Sequence, residues 1–470
     1  MAKLGILTFS DGRPYAHEPQ IAELLSFQER LRHQLSQIGH KVVTGNLIHS
    51  NTSAREEAER LAREGVEATI FNYAVWAFPQ FTVVASRFAP SPWLLFGQIN
   101  PAKPGMVAVL AASGALDQLG AVYTRIFGAI EDPQILQAVD RWARAAHATK
   151  ALQGETYGLI GGRSIGINTA VANTDQWAQH FGVDVEHIDQ WEIVRRAQAV
   201  DQEKTREARR WLEEKVRRIH YDGVQLTPEK LERQIAAYYA LKELIAEKEL
   251  NFLGIKAQPE LTEHFVTMDL PEAFLNDPYD WDGPHDPIVC ATEADMDGAL
   301  TMELLKHLGQ MPVLFADVRH YLAEEDLFDL VNSGQHPTFY AARSLEADAN
   351  LAHVELHPQG FYFPAGGASV VHVAAPGPIT LARLSRFRGE YRMHILLAEL
   401  VRLPHQREEQ IVQEVQPNWP HAFAKFPVSA EEFLQNFPTN HIHGIPGDHV
   451  EELLHVCRNL NIQPIHFRGA

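Results

Sequence analysis

The chain has 470 residues, 45% hydrophobic and 21% charged, and a formal net charge of −19. That length predicts two or three domains with ample core, in the composition of a soluble globular protein. An acidic balance with no long basic run argues against binding a nucleic-acid backbone.

Short apolar strands alternate with amphipathic helices through the first two thirds, the pattern of parallel sheets covered on both faces. The spacing predicts a strand over 4–9, a helix over 21–35, a strand from 41 and a helix over 54–63. Strands follow over 69–73, 93–96 and 106–110, then a helix over 135–148. A polar link, Gln153-Gly154-Glu155, marks the first boundary. A second cycle has a strand over 156–160, a glycine turn, and long charged helices over 204–218 and 228–248. Strands over 252–255, 288–291 and 313–315 complete it, with a helix over 298–308. Beyond residue 322 the texture becomes alternating strands, over 369–373, 379–384 and 393–400, closed by a helix over 450–458. The expected architecture is α/β, with two Rossmann-like domains (1–152 and 153–322) followed by a β-rich domain (323–470).

No stretch is apolar for long enough to span a bilayer, and Asp11 comes too early for a secretory signal. Cys290 and Cys457 lie in separate apolar runs, neither a disulfide framework nor a zinc motif. A cytoplasmic location is expected.

Three segments carry candidate chemistry. Asp269-Leu270-Pro271-Glu272 reads either as a helix capping box or as a functional acid. Thr292-Glu293-Ala294-Asp295 has the same ambiguity, but it follows a strand at the carboxyl edge where open α/β sheets bind ligands. Glu293, Asp295, Asp297 and Glu272 together form an acidic group that a metal would balance. In Asn440-His441-Ile442-His443-Gly444-Ile445-Pro446-Gly447-Asp448-His449, the first two histidines point the same way on a strand. His449 is expected to open a helix.

Asp280-Trp281-Asp282-Gly283, Ala291-Thr292-Glu293-Ala294-Asp295, Phe315-Ala316-Asp317-Val318-Arg319 and Asn440-His441 resemble, in order, motifs of the L-fucose isomerase family. Asp11-Gly12-Arg13, Gly161-Gly162-Arg163-Ser164-Ile165-Gly166, Tyr362-Phe363-Pro364-Ala365-Gly366-Gly367 and Asn418-Trp419-Pro420 are similar to it at lower specificity. The resemblance spans nearly the whole chain, although this chain is shorter than the best-known members and carries an extra histidine, His443. It implies a metal-dependent aldose–ketose isomerase working through a cis-enediolate on L-fucose or D-arabinose-type aldoses. Glu272, Asp295 and His441 would hold Mn²⁺ or another divalent cation, and Glu272 and Asp295 would be the acid/base pair. Arg13, Tyr362, Trp419 and Asn440 would bind the sugar. Trp76 would be lent to a neighbouring subunit of a homo-oligomer, a hexamer or trimer. Oxygen-rich ligation with one imidazole suits Mn²⁺.

Other readings remain open on sequence: a nonenzymatic sugar-binding protein, an isomerase closer to L-arabinose isomerases, or a zinc hydrolase built on His441, His443 and His449. The glycine turn at 161–166 does not fit a dinucleotide fingerprint.

Overall fold

The computed structural model describes residues 1–100, 102–333, 335–360 and 362–469. The chain divides into two compact units, Met1–Ala151 with Glu451–Ile462, and Leu152–Val450 with Gln463–Ala470.

The first unit is built on a five-stranded parallel sheet, in the spatial order Lys41–Thr44, Lys3–Phe9, Ala68–Tyr73, Trp93–Gly97, Tyr123–Phe127. Alternate residues of one strand face opposite sides. Leu4 and Ile6 pack in one core with Trp142, while Leu7 and Phe9 pack in another with Phe81 and Leu116. Both faces are therefore covered, as strands this apolar require. The expected strand over 106–110 is instead part of the helix Gly105–Asp117. Its apolar run is too uniform to show a period; its buried residues, Ala108, Val109, Ala112 and Leu116, fall at helical spacing. The fifth strand, Tyr123–Phe127, escaped notice because it is a less apolar edge strand carrying exposed Arg125.

The second unit opens with a four-stranded parallel sheet, ordered Cys290–Thr292, Phe252–Ile255, Thr156–Ile160, Asp184–Ile188. It continues into antiparallel strands that close on themselves. Gly377–Phe387 pairs with His441–Pro446, then Leu314–Leu322, Leu327–Val331, His421–Lys425 and Glu390–Leu400, which returns to Gly377–Phe387. Closure leaves no free edge within this ring. Gln463–His466 adds in parallel to Glu390–Leu400.

The C-terminal region is β-rich, as expected, and its strands close into a barrel. The strand expected over 313–315 as a continuation of the parallel cycle is a longer strand of this barrel. Its apolar start resembles a buried parallel strand, while its polar end, Asp317–Leu322, is partly exposed throughout.

Tyr340 ties this region together. Its hydroxyl receives the Leu314 amide and lies 3.0 and 2.8 Å from the Pro312 and Gly444 carbonyls, with the ring fully buried. Tyr340→Phe should therefore strip buried polar groups of a partner and cost about 1–3 kcal/mol. Denaturant titration of the two proteins side by side checks this.

Candidate active site

Asp295 sits at the carboxyl end of the strand Cys290–Thr292 and caps the helix Met296–Gly309, accepting the Gly298 amide at 3.0 Å. Two preceding residues, Glu293 and Ala294, have φ of +60° and +53°. Consecutive left-handed non-glycine residues are costly and mark a turn that its surroundings over-determine. This turn aims both Glu293 and Asp295 toward the barrel strand that carries His441. Gly298 is required by close approach: a Cβ there would meet Asp295 Oδ2 at 2.6 Å and Arg383 Nη1 at 2.7 Å.

Asp295 and Arg383 are both fully buried and paired twice, Nη1 to Oδ2 at 2.5 Å and Nη2 to Oδ1 at 3.0 Å. His441 Nδ1 donates to Asp295 Oδ2 at 2.6 Å. Burial alone would raise the Asp295 carboxyl, but Arg383 and His441 outweigh it and hold it well below the usual range. Burial likewise opposes a charged His441, yet its bonds to Asp295 and Glu293 push the ring up to about 10.

With Nδ1 fixed on a carboxylate, His441 turns Nε2 toward the acids, the tautomer that orients a metal-ligating imidazole. Nε2 lies 2.8 Å from Glu293 Oε2 and 3.5 Å from Asp317 Oδ1. Neither Nε2 nor Glu293 Oε2 makes a well-directed hydrogen bond.

Glu272 belongs to the helix Asp269–Asn276. The capping-box alternative is not formed: Met268 holds the cap position without a side-chain bond, and both acids lie inside the helix. Asn276 fixes this helix to the strand. Its amide donates to the Glu272 and Cys290 carbonyls, and its oxygen accepts the Cys290 amide. Glu272 is almost fully buried, and its Oε1 has no partner. Burial, then the neighbouring charges of Asp269 and Glu293, raise its carboxyl well above the usual range against a bond from Thr292. Asp269 is raised to about 7 by burial, against bonds from Gln359 and Thr267.

The structure brings Asp295 and His441 into direct contact and joins Glu272 to them through Thr292 and Glu293. The ligand atoms of Glu272, Asp295 and His441 do not all fall within 4.8 Å of one another. The donor set still fits a divalent cation. It is carboxylate-rich with one imidazole, and Glu272 Oε1, Glu293 Oε2 and His441 Nε2 are buried without aligned partners.

Three of the sugar-binding candidates lie in the same unit as this group. Asn440 donates to Asp317 Oδ1 at 3.0 Å. Trp419 is buried, donates to Gln359 Oε1 at 3.0 Å and lies under the Arg319 guanidinium at 4.7 Å. Gln359 in turn donates to Asp269 Oδ2 at 2.5 Å. Exposed Tyr362 stands 6.3 Å from the Trp419 ring. Arg13 and Trp76 lie in the first unit, after neighbouring parallel strands, where Arg13 forks onto Asp11 at 2.9 and 2.6 Å.

The zinc-hydrolase cluster does not assemble. His443 Nε2 faces Arg383 Nη1 at 3.0 Å, and His449 Nε2 bonds the Pro446 carbonyl at 3.1 Å. Burial and the Arg383 charge keep His443 neutral, well below its ordinary value. Sequence reasoning gave no role to Arg383 or Gln359, and met Asp269 only in a helix-capping pattern and Arg319 only within a family motif. Arg383, in an alternating strand, offered no local signal.

Three family profiles match: L-fucose isomerase first N-terminal domain over 1–154, second N-terminal domain over 155–251 and 239–310, and C-terminal domain over 330–467. The chain belongs to the L-fucose isomerase family. Its relatives include the L-fucose isomerase of Bacteroides thetaiotaomicron, 25% identical over 81% of this chain and 76% of that protein. Those of Haemophilus influenzae (26%; 85% and 78%) and Streptococcus pneumoniae (26%; 81% and 76%) are similar. The protein is accordingly a sugar isomerase, an intramolecular oxidoreductase of the aldose–ketose type. Among the described residues no helix is long and apolar enough to cross a membrane.

Two predictions follow from the pairing geometry. Arg383→Gln removes the paired charge from a fully buried carboxylate and should cost about 3–5 kcal/mol in denaturant titration. In metal-free protein, His441, raised to about 10 from 6.5, contributes stability that is complete below about pH 6.5. That contribution is lost as pH rises toward 10. Asp295, depressed, contributes above about pH 4 and loses its share as pH falls. Melting EDTA-treated protein between pH 6.5 and 10 should show the alkaline decline, and His441→Gln should flatten it.

Proposed function

We propose that the protein interconverts an L-fucose or D-arabinose-type aldose with its ketose through a cis-enediolate, at a divalent-metal site formed by Glu272, Asp295 and His441. The observation that carries this reading is a buried group of metal-donor atoms beside a paired Asp295: Glu272 Oε1, which has no partner, and Glu293 Oε2 and His441 Nε2, which face one another at 2.8 Å without an aligned hydrogen bond. A cation bound there, Mn²⁺ or another, would supply positive charge to the sugar oxygens at C1 and C2.

The two carboxylates have different electrostatic surroundings. Asp295 is held ionised by Arg383 and His441, so it serves as a fixed negative charge that orients the imidazole. Glu272, raised well above the usual carboxylate range by burial and Asp269, is the acid whose protonation a bound cation would control, giving up its proton when the positive charge arrives. It takes the proton from C2 and returns it to C1, while the O2 hydroxyl proton passes to O1. Trp419 and Tyr362 offer aromatic faces to the sugar, and Asn440 a hydroxyl partner. Arg13, Trp76 and the homo-oligomer in which Trp76 serves a neighbour are part of the same proposal.

Turnover of a panel of aldoses, with and without Mn²⁺ after EDTA treatment, tests the activity. Glu272→Gln should fold normally and lose about 10²–10⁴-fold in turnover. His441→Ala should lose bound metal. Wild-type turnover in Glu272→Gln, or wild-type metal content in His441→Ala, would sink the assignment.

A further inference from the structure

Within the second unit, Arg218–Ile219, Glu355–Pro358 and Ala368–Val371 form a small sheet. Arg218 pairs with Glu355 and Ile219 with Leu356 in parallel register, and the His220 amide bonds the Leu356 carbonyl at 2.9 Å. The next residues along, His220 and His357, therefore stand side by side. Glu355 and His357 are two apart on one strand and share a face. Both imidazoles converge on one oxygen: His220 Nε2 is 2.7 Å and His357 Nε2 is 3.1 Å from Glu355 Oε2. The two rings stack with centroids 3.9 Å apart.

We infer that His220, Glu355 and His357 form a second metal site, distinct from the carboxylate cluster and suited to Zn²⁺. One ligand atom from each residue lies within 4.8 Å of the other two. Two imidazoles with one carboxylate make a nitrogen-rich, borderline-soft donor set, which favours zinc over the oxygen-seeking ions. Arg217 Nε approaches the other carboxylate oxygen, Oε1, at 3.5 Å, so Oε2 stays directed at the histidines. Glu355 and His357 also line a cavity of about 290 Å³, bordered by His353, His372 and His405, which leaves room for water as a fourth ligand. The three side chains are between a fifth and about a quarter exposed, so an ion has a route in.

Binding uses the Nε2 lone pair of each neutral imidazole, so each ring keeps its single proton on Nδ1 and any second proton is released to solvent. The ion would cross-link segments 135 residues apart and clamp the 218–220 segment onto its sheet. The other compact group, Glu155, Glu303 and His307, differs because the Lys306 ammonium already contacts Glu303 and supplies its positive charge.

The test is Zn²⁺ titration of the full-length, EDTA-stripped protein in saturating Mn²⁺, read by competition with a chromophoric chelator and by thermal melting. One zinc equivalent should bind and raise Tm. His220→Ala and His357→Ala should each weaken it by about tenfold or more and abolish the zinc-dependent rise, whereas His441→Ala should retain both. Zinc-edge X-ray absorption of the wild type should show two imidazoles in the shell, a readout independent of how the variants fold. Unchanged zinc affinity in both histidine variants, loss of the zinc equivalent in His441→Ala alone, no zinc binding, or an all-oxygen shell would each overturn the site.

Discussion

The Asp295 carboxylate is the constraint on which the candidate active site depends. It takes two bonds from Arg383, one from His441 and one from the Gly298 amide, in a place with no solvent exposure. A buried carboxylate is tolerable only when such partners compensate its lost hydration. Each partner comes from a different part of the second unit. The acid ends a parallel strand, the amide opens the following helix, and Arg383 and His441 come from neighbouring barrel strands. The ion pair is therefore also the joint between the parallel sheet and the barrel.

Around that joint, polar contacts run in a continuous chain. His441 faces Glu293 and Asp317, Asp317 is near Arg319, and Arg319 lies over Trp419. Trp419 bonds Gln359, and Gln359 bonds Asp269, one helical turn before Glu272. Placement of the aromatic wall is thus coupled to placement of the acids. A shift at Gln359 would be felt at both, which is how a site holds its groups in register without relying on one loop.

Much of this was legible in sequence, for identifiable reasons. The central parallel strands are apolar on both faces, so they stand out as runs, and the carboxyl-edge rule then points to the segment Thr292-Glu293-Ala294-Asp295, within which the family resemblance selects Asp295. The Asn440-His441 pair was visible by its motif. What stayed hidden depends on partners far along the chain. Residues 106–110 have no period, so their helical state is set by packing. The strand over Leu314–Leu322 looks parallel at its start, and only its pairing with His441–Pro446 shows otherwise. Arg383 reads as an ordinary strand residue, because its partner is 88 positions away. Thr292 and Asp295 read as a capping box, and Asp295 does cap its helix. The capping role and the proposed metal-site role fall on the same carboxylate.

That double use bears on how the two acids divide their labour. A capping carboxylate that also carries an arginine and a histidine is fixed in position and in charge, since every partner favours its ionised form. Such a group makes a poor proton carrier, because protonation would forfeit the ion pair and weaken all four bonds. Glu272 has the opposite surroundings. It lies in an apolar helix with an acid one turn away and a lone hydroxyl as its recorded partner, so its neutral form is favoured until a positive charge approaches. One environment stabilises a permanent anion and the other leaves protonation open to control by whatever binds. Environments that push two carboxylates apart in this way are the physical basis for assigning them separate roles. The assignment needs only their neighbours: Arg383 stands beside Asp295, and Asp269 stands beside Glu272.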